Sequence, residues 1–572
     1  VTVSGAIGTN IGTLTIANSG GVTFNGSVGT SADRITSLVI TNGTGVIEFT
    51  NDLYAGAMSN AGGSSEIKFY GATTDITSAV TLSTTGAVYY GDSTSDVLTF
   101  ARGITHNTGD NILLGTFTAA NPSTCVAGTS CSFNLGGTTT FLSSNSVFDF
   151  GTSPITLNNV LLGNGVTLYL GGGSSGSITV ASITGTAGGS ASNVVINTTG
   201  AVSITGAIAT DIGTVTVTNS GGTTFGGVVT ASSIVLTSTT GTIAFNDVLN
   251  VTSLSTAGNA YNVAINANGS SITNAVTFSN TGTVTLGTSG GTLAFTGGVV
   301  ATAPSGVSVN GTVTAAGTGV ITLGDSDTGV TVASSSTIGG TSTGAITLGA
   351  ATLADGATLT IGTGIANAIS LSSVTGTANG TSSSLTINTT GAVTVGGAIG
   401  TDIGTITITN SGGTTFSGAV DAATLTITST SLNNAVTFNG NLTLSSGLTV
   451  GAGAAAYNVA INGSTNTIAG TTTFANTGTV ALGNGSDTIN FTGGVVATAP
   501  SGVSVNGTVT AAGTGVITLG DSNTGLTIGG TSTIGGTSTG QITAGAIALN
   551  NNLTLGAGAA TPISLSTVTG PS

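Results

Sequence analysis

Positive charge is nearly missing from this chain. Arg34, Lys68 and Arg102 are the only basic residues among 572, against 18 acidic ones, for a formal charge of −15. Nucleic acid is thereby excluded as a partner, because neutralising phosphates takes clustered cations. No run approaches the ~18 to 20 consecutive apolar residues of a membrane-spanning helix. Tryptophan is absent and aromatics make up 4%, too few for the aromatic girdles of a membrane barrel. Nowhere do apolar residues recur at helical spacing between caps over three turns, so helix is expected to be nearly absent. Charged residues total only 4%, a scarcity that can signal disorder, but disordered chains are also poor in apolar residues. This one is 38% hydrophobic with a mean hydropathy of +0.49. It is expected to be ordered.

What the chain has in abundance is repetition. Gly5-Ala6-Ile7-Gly8-Thr9 returns 201 residues later as Gly206-Ala207-Ile208-Ala209-Thr210, and 191 after that as Gly397-Ala398-Ile399-Gly400-Thr401. Each copy continues through Asn-Ser-Gly-Gly to a phenylalanine, Phe24, Phe225 and Phe416 in turn. Repeats of this kind mean stacked units that bury a continuous core between neighbours, not a globular catalytic domain. Three copies are expected, 1–200, 201–391 and 392–572. All Lys, Arg, His and Cys lie in the first, with both glutamates, Glu48 and Glu66. The other two are pared down to small and branched residues, and share runs such as Ala301–Val307 and Ala497–Val503. The diverged first copy is the place to look for a cap or a docking surface.

Short alternating segments dominate: Leu14-Thr15-Ile16, Val215-Thr216-Val217-Thr218, Ile406-Thr407-Ile408-Thr409. Successive strand side chains point to opposite faces, so Ile and Val share one face and Thr the other. Turns such as Asn219-Ser220-Gly221-Gly222 follow each segment, Gly and Asn tolerating the backbone that a turn requires. Small branched residues suit a narrow coil in which like side chains stack, where a sandwich would use longer strands and larger residues. Proline, at 6 residues, is rare enough for nearly every backbone N–H to pair. The fold class expected is all-β, a right-handed parallel β-helix (β-solenoid) of three long repeats, with coils of on the order of 20 residues.

Candidate chemistry is sparse. Asp325 and Asp327, in Gly324-Asp325-Ser326-Asp327-Thr328-Gly329, form the densest acidic cluster and are weak calcium candidates. The third copy has Asp521-Ser522-Asn523 there, and no cation stands near. A turn in which Asp bonds its own backbone is the favoured role, and no catalytic carboxylate pair is assigned. Serines abound, but His106 is the only imidazole and has no flanking motif. Cys125 and Cys131 lie close together in one Gly/Ser/Thr-rich stretch and are expected to pair as a small-loop disulfide, in an oxidising, extracellular setting. The Thr-x-Thr arrays, such as Thr214, Thr216 and Thr218, raise ice binding as a minor reading, against the plain preference of exposed strands for Thr. No initiator Met or leader opens the chain, which suggests a processed product or a portion of something longer.

The short Val-Thr-Val strands, the Asn/Ser/Gly turns and the long internal copies resemble the large repetitive β-solenoid proteins of bacterial surfaces, of the filamentous-haemagglutinin and autotransporter-passenger kind. The resemblance covers the whole chain and transfers no functional residue. It implies secretion, display on the cell surface and a structural or adhesive role without catalysis or cofactor. Expected partners are further copies meeting head to tail, or cell-surface glycans bound through the first copy. A polysaccharide-degrading enzyme is the least favoured alternative.

Overall fold

The structure, a computed structural model, describes residues 1–114, 116–119, 131–556 and 561–570. Among them there is no helix, and parallel strands wind as a right-handed β-solenoid of about 25 turns. The chain divides into two compact units, Val1–Asn274 with Ser279–Gly282, and Ala275–Phe278 with Thr283–Ser572. Each coil lays strands on three faces. In the first unit, one face runs through Val22–Phe24, Ile47–Phe49, Ile67–Phe69 and Val88–Tyr90, all parallel and in register. The second face includes Thr73–Ile76 and Val97–Phe100, and the third Val80–Leu82 and Gly103–His106.

Alternation explains the burial. In Val22-Thr23-Phe24 the outer two residues are buried and Thr23 is not, and Ile47-Glu48-Phe49 and Ile67-Lys68-Phe69 repeat the pattern. Parallel register then stacks like on like. Phe24 and Phe49 stack with ring centres 5.0 Å apart and planes nearly parallel, and Phe49 and Phe69 stack at 5.9 Å. The second unit does the same with Phe416 and Phe438, at 4.9 Å and parallel. Burying each such ring stabilises the fold by about 1.5 to 3 kcal/mol. The interior therefore holds aromatic columns as well as the small branched residues expected from composition.

One corner of many coils is pinned by a buried hydroxyl. Thr389 Oγ1 donates to the backbone carbonyls of Ile365 and Asn367 in the coil below, both at 2.7 Å, and accepts the N–H of Gly391. Thr84, Thr198, Ser342 and Ser538 repeat the arrangement with Gly86, Gly200, Gly344 and Gly540. A polar side chain is affordable there because both its donor and its acceptor are used. Glycine follows because a Cβ at residue 391 would sit 2.1 Å from the Asn367 carbonyl oxygen.

About 25 turns over 572 residues make coils of about 23 residues, of the order expected. One feature differs from the sequence reading. Some strands run longer than the short segments expected, continuing round a bend where pairing breaks off and resumes on the next face, as between Leu482 and Asp487. Thr479–Phe491 is one strand of 13 residues that turns through Gly483 at φ 83°.

The copies are out of phase with the coils. Thr2, Thr23, Glu48, Lys68, Tyr89, Ile112, Phe141, Leu161 and Thr184 climb one face of the first unit. Ser203, the second copy's equivalent of Thr2, lies two faces beyond Thr184 and pairs with Thr179 and Thr224 instead. One copy is eight coils and two further faces. In the second unit, Thr394 pairs with Ser370 and Thr415, off the ladder of Thr331, Thr352 and Thr375. The same sequence is thus accepted on different faces, which shows that the faces are geometrically interchangeable.

Candidate functional site

Reading the outward rungs of corresponding ladders locates what is special about the first copy. The third copy's ladder runs Thr415, Thr437, Ala460, Ala481, Ser504, Thr527. The first copy's runs Thr23, Glu48, Lys68, Tyr89, Ile112, Phe141 and on to Leu161. Small hydroxyls and methyls in one become charge, aromatic rings and bulky aliphatics in the other, on the same backbone.

The lower part of this face is a compact polar cluster. Lys68 Nζ lies 3.6 Å from Glu66 Oε2, 4.9 Å from the Tyr89 ring centre and 5.7 Å from that of Tyr70. The two tyrosine rings meet edge to face at 6.2 Å. Burial, then the neighbouring Tyr89 and the carboxylates of Glu48, Asp92 and Glu66, push the Tyr70 phenol up to about 12. Burial and the adjacent Asp96 push the Asp92 carboxyl up as well. A second ion pair stands on the next face, where Arg34 Nη2 donates to Asp75 Oδ2 at 2.6 Å and the guanidinium lies over Tyr54.

His106 is placed differently. Its ring is fully buried, with Nδ1 2.9 Å from Asn111 Oδ1 and Nε2 3.1 Å from the Thr84 carbonyl. Tyr90 OH donates to the same Asn111 oxygen. The imidazole thus closes a polar network inside the first copy, in line with the buried hydroxyl corner of Thr84.

Asp325 and Asp327 lie in an exposed turn. Asp325 Oδ1 accepts the backbone N–H of Asp327 and of Thr328, each at 2.9 Å, and these two bonds hold its carboxyl below the usual range. Asp521 makes the same turn with Asn523 and Thr524. Among the described residues no three His, Cys, Asp or Glu side chains gather as a metal site. Cys131 is buried and is not a free thiol, whereas Cys125 lies outside the described residues. No helix among the described residues is long and apolar enough to cross a membrane.

The sequence pointed to the first copy but not to this ladder. The signal was present in the middle residues of Ile47-Glu48-Phe49, Ile67-Lys68-Phe69, Val88-Tyr89-Tyr90 and Asn111-Ile112-Leu113, recurring every 20 to 23 residues. Only strand register shows that they share one face. No protein-family model, no curated protein and no solved structure matches the chain.

Proposed function

We propose that this chain is a structural protein of the cell exterior, a stiff β-solenoid that assembles end to end or forms a section of a longer surface fibre. The observation that carries the reading is the character of the second and third copies. Their interior columns are aliphatic and aromatic, while the third copy's outward ladder from Thr415 to Thr527 presents only Thr, Ala and Ser. This ladder carries no charge to titrate and no nucleophile with a base beside it, and the carboxylates elsewhere in those copies, such as the turn-bound Asp325 and Asp521, have no Lys, Arg or His in the same copies, which suits a spacer better than a reaction site. Electron micrographs of the purified chain over a concentration series test the assembly. Filaments of constant width that lengthen with concentration are expected, and dispersed short particles at every concentration would count against it.

A second reading, an adhesin acting through the first copy, is favoured by one observation: the cluster of Lys68, Tyr70, Tyr89 and three carboxylates with the bulky rungs beyond it. Replacing the outward side chains of this face should abolish attachment while leaving filaments intact.

A further inference from the structure

The outer face built by Glu48, Lys68, Tyr89, Ile112, Phe141 and Leu161 offers no free backbone. Its strands pair with the coils before and after them, so anything that meets the face is recognised by side chains. The face is graded. The carboxylates gather at one end: Glu48 is the rung before Lys68, Glu66 lies 3.6 Å from the Lys68 ammonium, and Asp92 follows two residues after the strand of Tyr89. Ile112, Phe141 and Leu161 follow on successive coils and carry no polar atom. All three are half-buried, outward-facing residues. The single cation on the face, Lys68, is already engaged by Glu66 and the two rings.

We propose that this face docks a protein partner whose contact surface is apolar at its centre and basic where it meets the carboxylates. The inference rests on the adhesin reading above and names the partner class for that site. Charge complementarity selects the basic rim, since Glu48 remains for a Lys or Arg of the partner once Lys68 is occupied by Glu66. The aliphatic rungs select protein over glycan. Sugar rings stack on aromatic faces with hydrogen-bonding groups beside them, and beyond the tyrosine cluster Ile112 and Leu161 provide neither. An apolar centre with a polar edge is the anatomy of a protein interface.

The test uses the chain of residues 1–572 and three probes: a peptide alternating leucine and lysine, its leucine–glutamate counterpart, and soluble dextran. The comparison variant combines Tyr89→Ala, Ile112→Ser and Phe141→Thr, which installs the residue types of Ala481, Ser504 and Thr527 on the same kind of strand. The leucine–lysine peptide should bind the parent chain at least about tenfold more tightly than its acidic counterpart, and the triple variant should lose about tenfold. A second variant, Glu48→Thr with Asp92→Asn, should flatten the salt dependence, and unchanged circular dichroism in both shows that the fold is kept. Equal binding of the peptide by parent and triple variant overturns the proposal. Dextran binding that disappears in the triple variant overturns the partner class and leaves the adhesin reading standing. If the parent binds none of the three, both fall.

Discussion

At the scale of single residues, many of the polar groups inside this fold are explained by their partners. The His106 ring lies between Asn111 Oδ1, to which Tyr90 OH also donates, and the Thr84 carbonyl, while Asn111 Nδ2 is buried without a partner. Substituting His106→Leu should therefore cost about 1 to 3 kcal/mol through the groups left unpaired, measured by chemical denaturation of the first copy's tyrosine signal. Thr389→Val, which removes the hydroxyl that serves two carbonyls and one N–H, should cost a similar amount. Alkaline titration is the second probe. Tyr70 and Tyr457 are raised to about 12, both chiefly by burial, whereas a phenol in the unfolded chain ionises near about 10. Between those values the unfolded state binds fewer protons than the folded one. Stability should be undiminished below about pH 10 and fall as pH climbs toward about 12. Phenolate absorbance followed alongside unfolding checks this, with Tyr90 and Tyr261, whose phenols burial also raises, ionising late beside Tyr70 and Tyr457.

At the scale of the element, the alternation of apolar and polar residues was legible in the sequence, and so were the turns that punctuate it. Val215-Thr216-Val217 announces a strand with a buried and an open side, and the structure places Val215 and Val217 inside. What alternation cannot convey is which strands become neighbours. Glu48, Lys68 and Tyr89 look scattered along the chain, and only the coil length and the parallel register make them one surface. The buried hydroxyl corners were hidden for a related reason. Nothing in the residues around Thr389 marks it as buried, and its burial follows from the carbonyls of Ile365 and Asn367, some twenty residues earlier. Stacked aromatic columns give this scale its sharpest prediction. Phe416→Ala empties one rung against Phe438 and should cost about 3 to 5 kcal/mol. Gly494→Ala should also destabilise, because at φ 99° its Cβ would press within 2.5 Å of the Val516 carbonyl oxygen. Both are read by thermal denaturation.

At the scale of the whole molecule, the internal repeat foretold the solenoid, because units that cannot close a core alone must stack. It did not foretell the phase. A copy that spans eight coils and two faces puts its equivalents on different sides, so a repeat length read from sequence need not be a whole number of turns. Interchangeable faces also explain why copies 201 and 191 residues apart coexist, since one stretch of chain accepts any face whose neighbours match its pattern. Surface chemistry separates along the same lines. The first copy carries the two ion pairs seen among the described residues, the tyrosine cluster and the bulky outward rungs, while the later copies present mostly hydroxyls and methyls, with aspartates as their only charged side chains.

The claim on which the functional account depends is that this surface faces the outside of the cell. Antibodies raised against residues 201–391, applied to intact and to permeabilised producing cells, test it directly. Equal labelling of the two is the predicted result, and labelling that appears only after permeabilisation would contradict it.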